Sequence, residues 1–272
     1  MNQSNGFRNG YVVRLALERA RRTRSRLTQA ESHAGSVVQR TIAFSLAIII
    51  ATLQPLTVTP ANATLVIDGT RVIYPETSKS VTVPVNNPGG QPVLMQSWIT
   101  DARDADNPAI PFAIAEPLLK VEPNRSRYVR IFYAGEGMPS DRESMLFLNI
   151  MAIPIKPTQQ DAIQFAVKQR LKLFYRPDAL RGSASDAVAA LRWQINRGRV
   201  AVVNGSPFHV SLIDLDLQWP GGHRIISDYL LLEPGETRAI DALVPDGADA
   251  LTLRFVEIND VGLQVPHKVS LL

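Results

Sequence analysis

The sequence has 272 residues, 45% hydrophobic and 20% charged, a globular composition with room for one or two domains. Its formal charge of +4 comes from one end: residues 1–63 hold eight arginines, no lysine and two glutamates (net +6), and the remaining 209 hold 21 Lys+Arg against 23 Asp+Glu (net −2). The globular part is therefore not a basic nucleic-acid binder, and the lack of cysteine excludes disulfides, thiolate zinc sites and cysteine nucleophiles.

The first element in chain order is an address. Thr41–Leu53, TIAFSLAIIIATL, is an apolar run preceded by Arg40. It is shorter than the ~20 residues a membrane span needs but has the length of a signal-peptide core. Ala61-Asn62-Ala63 supplies a small-x-small cleavage pattern, so cleavage is expected after Ala63. A buried helix or an uncleaved anchor are the competing readings. The arginine-rich stretch RLALERARRTRSR before it is too long for an ordinary n-region, and points to a translation start nearer Val37 or Val38. Residues 1–63 are therefore read as a leader, with no stable membrane insertion once it is removed.

From Thr64 the text is short β-type runs cut by turn residues: LVIDGTRVIYP, SVTVPVNN, a PGG turn, PVLMQSWI, RYVRIFYAG and SMLFLNIMAIP. Ile163–Pro177, IQFAVKQRLKLFYRP, then reads as one uninterrupted strand, long against the usual ~5–6 residues. Ile163, Phe165, Val167, Leu171, Leu173 and Tyr175 alternate there with Gln164, Lys168, Arg170, Lys172 and Arg176. After RPDALRGSASD a second β series follows, comprising RGRVAVVNGS, FHVSLIDLDLQW, YLLLEPGETRAI and LTLRFVEINDVG, with SDAVAALRW of brief helical character. The expectation is an all-β chain of two immunoglobulin-like sandwiches, 64–178 and 179–272, divided around Arg176–Arg181.

Catalytic patterns are missing. His209, His223 and His267 lie far apart without metal-ligand spacing. No G-x-S-x-G elbow or phosphate loop occurs, and GEGMPS at Gly135–Ser140 reads as a turn. Asp101, Asp104 and Asp106 lack the glycine and terminal glutamate of a calcium loop. Asp214 and Asp216 are expected to face water. No enzyme activity, metal or cofactor is expected.

GTRVIYP, QSWI, DRESMLFLNIMAIP, KLFYRP and FVEINDVG occur in this order. Together they resemble the PapD-like periplasmic chaperones of the chaperone–usher pilus pathway, from about Leu65 to near the C-terminus. The resemblance implies two immunoglobulin-like domains in an L shape, in the periplasm of a Gram-negative bacterium. It implies a chaperone that binds pilus (fimbrial) subunits and hands them to an outer-membrane usher, needing neither ATP nor metal. Its long strand would complete the subunit's unfinished sandwich by donor-strand complementation, with Ile163, Phe165 and Val167 as the donor face and Leu171, Leu173 and Tyr175 covering its own core. Arg71 and Lys172 match the family's anchor for the subunit's C-terminal carboxylate, and Glu143, Arg176 and Asp260 match an interdomain ionic network. Self-association of the free chain is left open.

There are departures from the family text. AEPLLKVEP around Pro117 replaces the usual paired-proline stretch where usher docking is expected, and Val261 stands where an aromatic is common. IKPTQQDA, the short link before the long strand, resembles the short-loop subgroup of rod-like pili. The competing class is a secreted structural or adhesive sandwich of a surface fibre, for which TLVIDGT leaves little room for an N-terminal donor extension.

Overall fold

The computed structural model describes residues 65–102, 109–155, 164–244 and 250–271, all within the compact unit Asn62–Leu272. The leader and its cleavage site, Ile163, Asp104, Asp106 and most of IKPTQQDA lie outside the described residues. Among the described residues the first sandwich has β1 (Val66–Ile67), β2 (Arg71–Pro75), β3 (Val81–Asn87), β4 (Val93–Thr100), β5 (Phe112–Ile114), β6 (Leu118–Val121), β7 (Arg125–Tyr133), β8 (Ser144–Pro154) and β9 (Val167–Arg176). They form a four-stranded sheet, β1-β3-β7-β5, and a five-stranded sheet, β2-β9-β8-β4-β6.

Alternation in the sequence becomes the core. Val83 and Val85 on β3, Val129 and Ile131 on β7, Leu146, Leu148 and Ile150 on β8, and Leu171, Leu173 and Tyr175 on β9 are buried between the two sheets. Each successive side chain of a strand points to the opposite face, so one residue in two enters the interior. One end of this core is closed by rings: Tyr175 lies 4.7 Å from Tyr133 and 6.4 Å from Tyr74, and Tyr74 meets Phe112 edge-on at 5.4 Å.

Between β1 and β2 the chain leaves one sheet for the other. β1 pairs with β3, and β2 lies parallel to β9. The crossing takes three residues, Asp68–Thr70, and Gly69 sits in it at φ +88°, a left-handed conformation open to glycine without strain.

The second sandwich follows a short helix. SDAVAALRW does form one, α1 (Ala184–Ala189), capped by the Ser183 hydroxyl, which accepts from the Asp186 N–H at 3.1 Å. Two sheets follow: β10 (Arg192–Asn196), β11 (Arg199–Val203) and β14 (Thr237–Leu243) in one, and β13 (Gly222–Leu232), β12 (Val210–Trp219), β15 (Leu251–Ile258) and β16 (Gln264–Leu271) in the other. Its own core includes Val200, Phe208, Leu212, Leu215, Leu253 and Phe255, with α1 contributing Ala187 and Val188.

The long strand is shorter than expected. Pairing covers Val167–Arg176, while Gln164–Ala166 are described without strand structure and Pro177 lies beyond its end. Backbone groups form a strand only against a partner. The ladder with β8 ends at Ala152↔Val167, β2 begins only opposite Lys172, and Gln164–Ala166 have neither neighbour. Asp216 also departs from expectation: only Asp214 is fully exposed, whereas Asp216 accepts from Gln218 at 2.7 Å and faces His223 at 3.0 Å.

Candidate functional site: an open strand edge that ends at two cations

β9 has β8 on one flank for its length up to Tyr175. Its other flank is covered by β2 only over Lys172–Arg176. Val167–Leu171 therefore present a row of backbone groups that β2 does not pair, the usual opening for an added strand. Val167, Gln169, Leu171, Leu173 and Tyr175 share one face. The last three enter the core, and the Gln169 amide donates to the Leu65 carbonyl at 3.0 Å. Val167, at the last pair of the ladder opposite Ala152, and Phe165, in the non-strand stretch before it, are 45% and 72% exposed. Two of the three expected donor residues are thus exposed apolar side chains; the third, Ile163, is not among the described residues.

The opposite face of β9 carries cations, each over a ring from a neighbouring element. Arg170 lies 3.6 Å from the Phe147 centroid, Lys168 5.9 Å from Trp98 and Lys172 4.8 Å from Tyr229.

Arg71 and Lys172 are direct neighbours in the β2–β9 register. Arg71 donates through Nη1 to the Ile258 carbonyl at 2.6 Å, and its Nε is buried without an acceptor. The Lys172 ammonium donates to Ser211 Oγ at 3.1 Å. Burial pulls the Lys172 ammonium down to about 8, and the adjacent Arg71 cation pushes the same way. Burial also lowers Arg71, opposed by Asp260, Tyr229, Glu143 and Glu257. Both cations are thus held in an environment that disfavours positive charge, which an incoming anion would relieve.

Arg176, four residues along β9, has the opposite surroundings. Its Nε and Nη2 donate to Glu143 Oε1 at 3.0 and 2.7 Å, and its Nη1 and Nη2 donate to Asp260 at 2.7 and 3.1 Å. Burial alone would lower Arg176, but the bonds and charges of Asp260 and Glu143 outweigh it and the net direction is up. Glu143 comes from the start of β8's segment and Asp260 from the turn after β15, so the guanidinium ties the two sandwiches together.

Of the second sandwich's share of the site, sequence reasoning named Asp260 but missed His209, Ser211 and Tyr229. His209 donates its backbone N–H to Glu143 Oε2 at 2.8 Å, and its ring Nδ1 lies 3.0 Å from the same oxygen. Its ring packs on Phe174 at 5.4 Å, explaining why Phe174 is buried on the otherwise charged face of β9. Ser211 and Tyr229 were likewise unmarked. The signal available was the alternation of FHVSLID, which puts His209 and Ser211 on one face, but nothing in it names their partners across the domain boundary. Among the described residues no group of three or more His, Asp or Glu side chains could hold a metal ion, and no helix is long and apolar enough to cross a membrane.

Known proteins share this arrangement of strands. Residues 64–181 match the sequence model of the pili and flagellar-assembly chaperone PapD N-terminal domain, and residues 186–269 match that of the pili assembly chaperone PapD C-terminal domain. The chain is 34% identical over 236 residues to the chaperone protein FimB/FhaD of Bordetella pertussis, covering 83% of this chain and 93% of that one. It is 34% identical over 214 residues to the probable fimbrial chaperone YadV of Escherichia coli, covering 74% and 87%. Among solved structures, the Pseudomonas aeruginosa CupB2 chaperone superposes with a TM-score of 0.66 at 32% identity, over 76% of this chain and 100% of that one. A Salmonella enterica SafA pilin in complex with the SafB chaperone gives 0.63 at 27%, over 76% and 95%.

Proposed function

The chain belongs to the PapD family of pilus-assembly chaperones, a chaperone family and not an enzyme family, and on that premise we propose that it holds pilus subunits by lending them a strand at the open edge of β9. One observation carries this reading: β2 pairs with β9 only from Lys172 onward, and the start of that pairing is marked by Arg71 and Lys172. A guest strand lying along Gln164–Leu171 cannot continue past β2. If its end is a C-terminal carboxylate it meets both cations there, which requires it to run parallel to β9, as β2 does.

The recognition splits into two parts. Backbone pairing along β9 accepts any sequence, and Phe165 and Val167, with Ile163, fill a groove that the guest cannot close alone. Full burial of each contributes about 1.5–3 kcal/mol. Strand pairing has little preference between slips of two residues, so the two cations set the register. Each charge-assisted bond is worth about 1.5–3 kcal/mol. The Arg176 cluster sets the angle between the domains, taken as 64–178 and 179–272. Export to the periplasm by a leader removed near Ala63, and delivery of the held subunit to an outer-membrane usher, complete the reading.

Co-expression of the mature chain with pilus subunits encoded beside its gene tests it. A soluble one-to-one complex is expected with the unaltered chaperone. Arg71→Ala and Lys172→Ala are expected to lose the complex while remaining folded by circular dichroism. Normal recovery by both variants would rule out the anchor.

A further inference from the structure

The Lys172 ammonium is held by two groups of the second sandwich. Ser211 on β12 accepts its hydrogen bond, and the ring of Tyr229 on β13 lies 4.8 Å from it. The register explains why these residues converge. Tyr229 is opposite Ile213, Ser211 is opposite Leu231, and Ile213 is opposite Val256 on the next strand. Residues opposed in this way share a face, so one side of the sheet offers Ile213, Leu231 and Val256 as a partly buried apolar wall around a hydroxyl and a phenol.

Tyr229 is 50% exposed and stands outside the buried core cluster of its own sandwich. β13 is an outer strand of its sheet, so the ring is not needed to bridge to a further strand. Burial raises its phenol, and the Arg71 charge acts in the opposite sense. The groups facing Lys172 are then Arg71 from β2, Ser211 from β12 and Tyr229 from β13. Phe147 of β8 is its remaining cross-strand neighbour, and the carboxylates of Glu143, Glu257 and Asp260 act on Arg71.

We propose that Tyr229 is a positioning residue of the carboxylate anchor: its ring holds the Lys172 ammonium at the guest's terminus, so the anchor is complete only when both sandwiches contribute to it. This rests on the anchor reading above. A ring face stabilises a nearby cation and has little effect on the neutral amine. Removing it makes protonation of Lys172 less favourable and frees the side chain from the geometry that the carboxylate meets.

The test uses the mature chain, carbon-13-labelled at lysine, with Tyr229→Phe, Tyr229→Leu and Tyr229→Thr variants. Leu and Thr are two ring-free replacements suited to an exposed strand position. Nuclear magnetic resonance follows the titration of Lys172 in the free protein. It also follows binding of a short peptide of alternating valine and threonine, made with a free C-terminal carboxylate and as the C-terminal amide. The ring-free variants are expected to lower the Lys172 midpoint by about half a pH unit and to weaken the free-carboxylate peptide about two- to five-fold, the range for a partly exposed cation–ring contact. Binding of the amide should be unaffected, and Tyr229→Phe should match the unaltered chain in every measurement. An unchanged midpoint in both ring-free variants overturns the proposal, as does an undiminished preference for the free carboxylate. If the unaltered chain itself fails to distinguish carboxylate from amide, the anchor reading fails instead, and the Lys172 midpoints still decide whether Tyr229 acts on the ammonium.

Discussion

Two cationic centres meet β9 four residues apart, one at Arg176 and one at Lys172 with Arg71 of β2 beside it, and they are built on opposite principles. At Arg176 every hydrogen-bonding edge of the guanidinium is turned toward a carboxylate, and its positive form is favoured. At Arg71 and Lys172 two like charges lie side by side, half-buried, with carbonyl, hydroxyl and ring for company, and the positive form is disfavoured in both. The first centre is complete within the chain. The second holds an electrostatic strain that no group among the described residues fully relieves. On the proposed reading the saturated centre serves the fold and the unsaturated one a guest, because only the latter gains when an anion arrives.

The sharpest way to break this contrast is to remove the buried carboxylate. Glu143→Ala takes one of its two carboxylates from the Arg176 guanidinium, which keeps Asp260, and takes the acceptor from the His209 N–H; breaking a buried pair from one side costs up to about 3–5 kcal/mol. Urea denaturation of the mature chain should show a loss of that size, and a loss below about 1 kcal/mol would mean that the pair contributes orientation only. At the other centre the sign reverses. Lys172→Met removes one of two repelling charges from a half-buried position, so the same denaturation curve is expected to stay level or move to higher urea. Subunit binding by isothermal calorimetry should fall by about 10- to 100-fold, the equivalent of a charge-assisted bond of about 1.5–3 kcal/mol.

A smaller effect is expected from the donor face. Phe165→Asp should weaken capture by up to about 3 kcal/mol yet leave stability within about 0.5 kcal/mol, since a side chain 72% exposed contributes little to its own fold. A matching drop in stability would place Phe165 in the chaperone's interior and remove it from the donor set.

The smallest effect is a pH dependence. Lys172 is lowered in the folded state from 10.5 to about 8. Below pH 8 it is protonated in both folded and unfolded chains, and the folded state bears the full penalty of the buried charge. Between about 8 and 10.5 the unfolded state binds more protons, so the penalty is relieved as pH rises. Unaltered protein should therefore gain stability relative to Lys172→Met across that window, while its grip on a guest carboxylate declines over the same range. Parallel pH curves for the two proteins would show that Lys172 is not perturbed.

Much of the fold could be read from alternation alone. Val83 and Val85, or Leu171, Leu173 and Tyr175, are apolar at every second position, and they are the residues that fill the core. The cations Arg71 and Lys172 and the trio Glu143, Arg176 and Asp260 were identified through resemblance. What no single stretch could reveal was adjacency. Arg71 meets Lys172 only through a parallel register formed after the chain changes sheets at Gly69. The strand was overestimated at Gln164–Ala166 because a sequence shows apolar spacing but not where a neighbour's ladder stops. His209, Ser211 and Tyr229 escaped notice for the same reason: their partners are 66 residues away for His209 and 39 for Ser211, and the Tyr229 ring meets Lys172 across the boundary between two separate cores.

The crossover at Asp68–Thr70 has a consequence for the whole class of guests. Because β2 takes over the β9 edge at a set residue, the proposed anchor would make the chaperone a ruler whose zero mark is Arg71. On that reading, guests of unrelated sequence are all aligned by their last residue. Adding two residues to β9 ahead of Lys172 would keep a guest's terminus at the two cations and move Phe165 and Val167 one pleat along its groove.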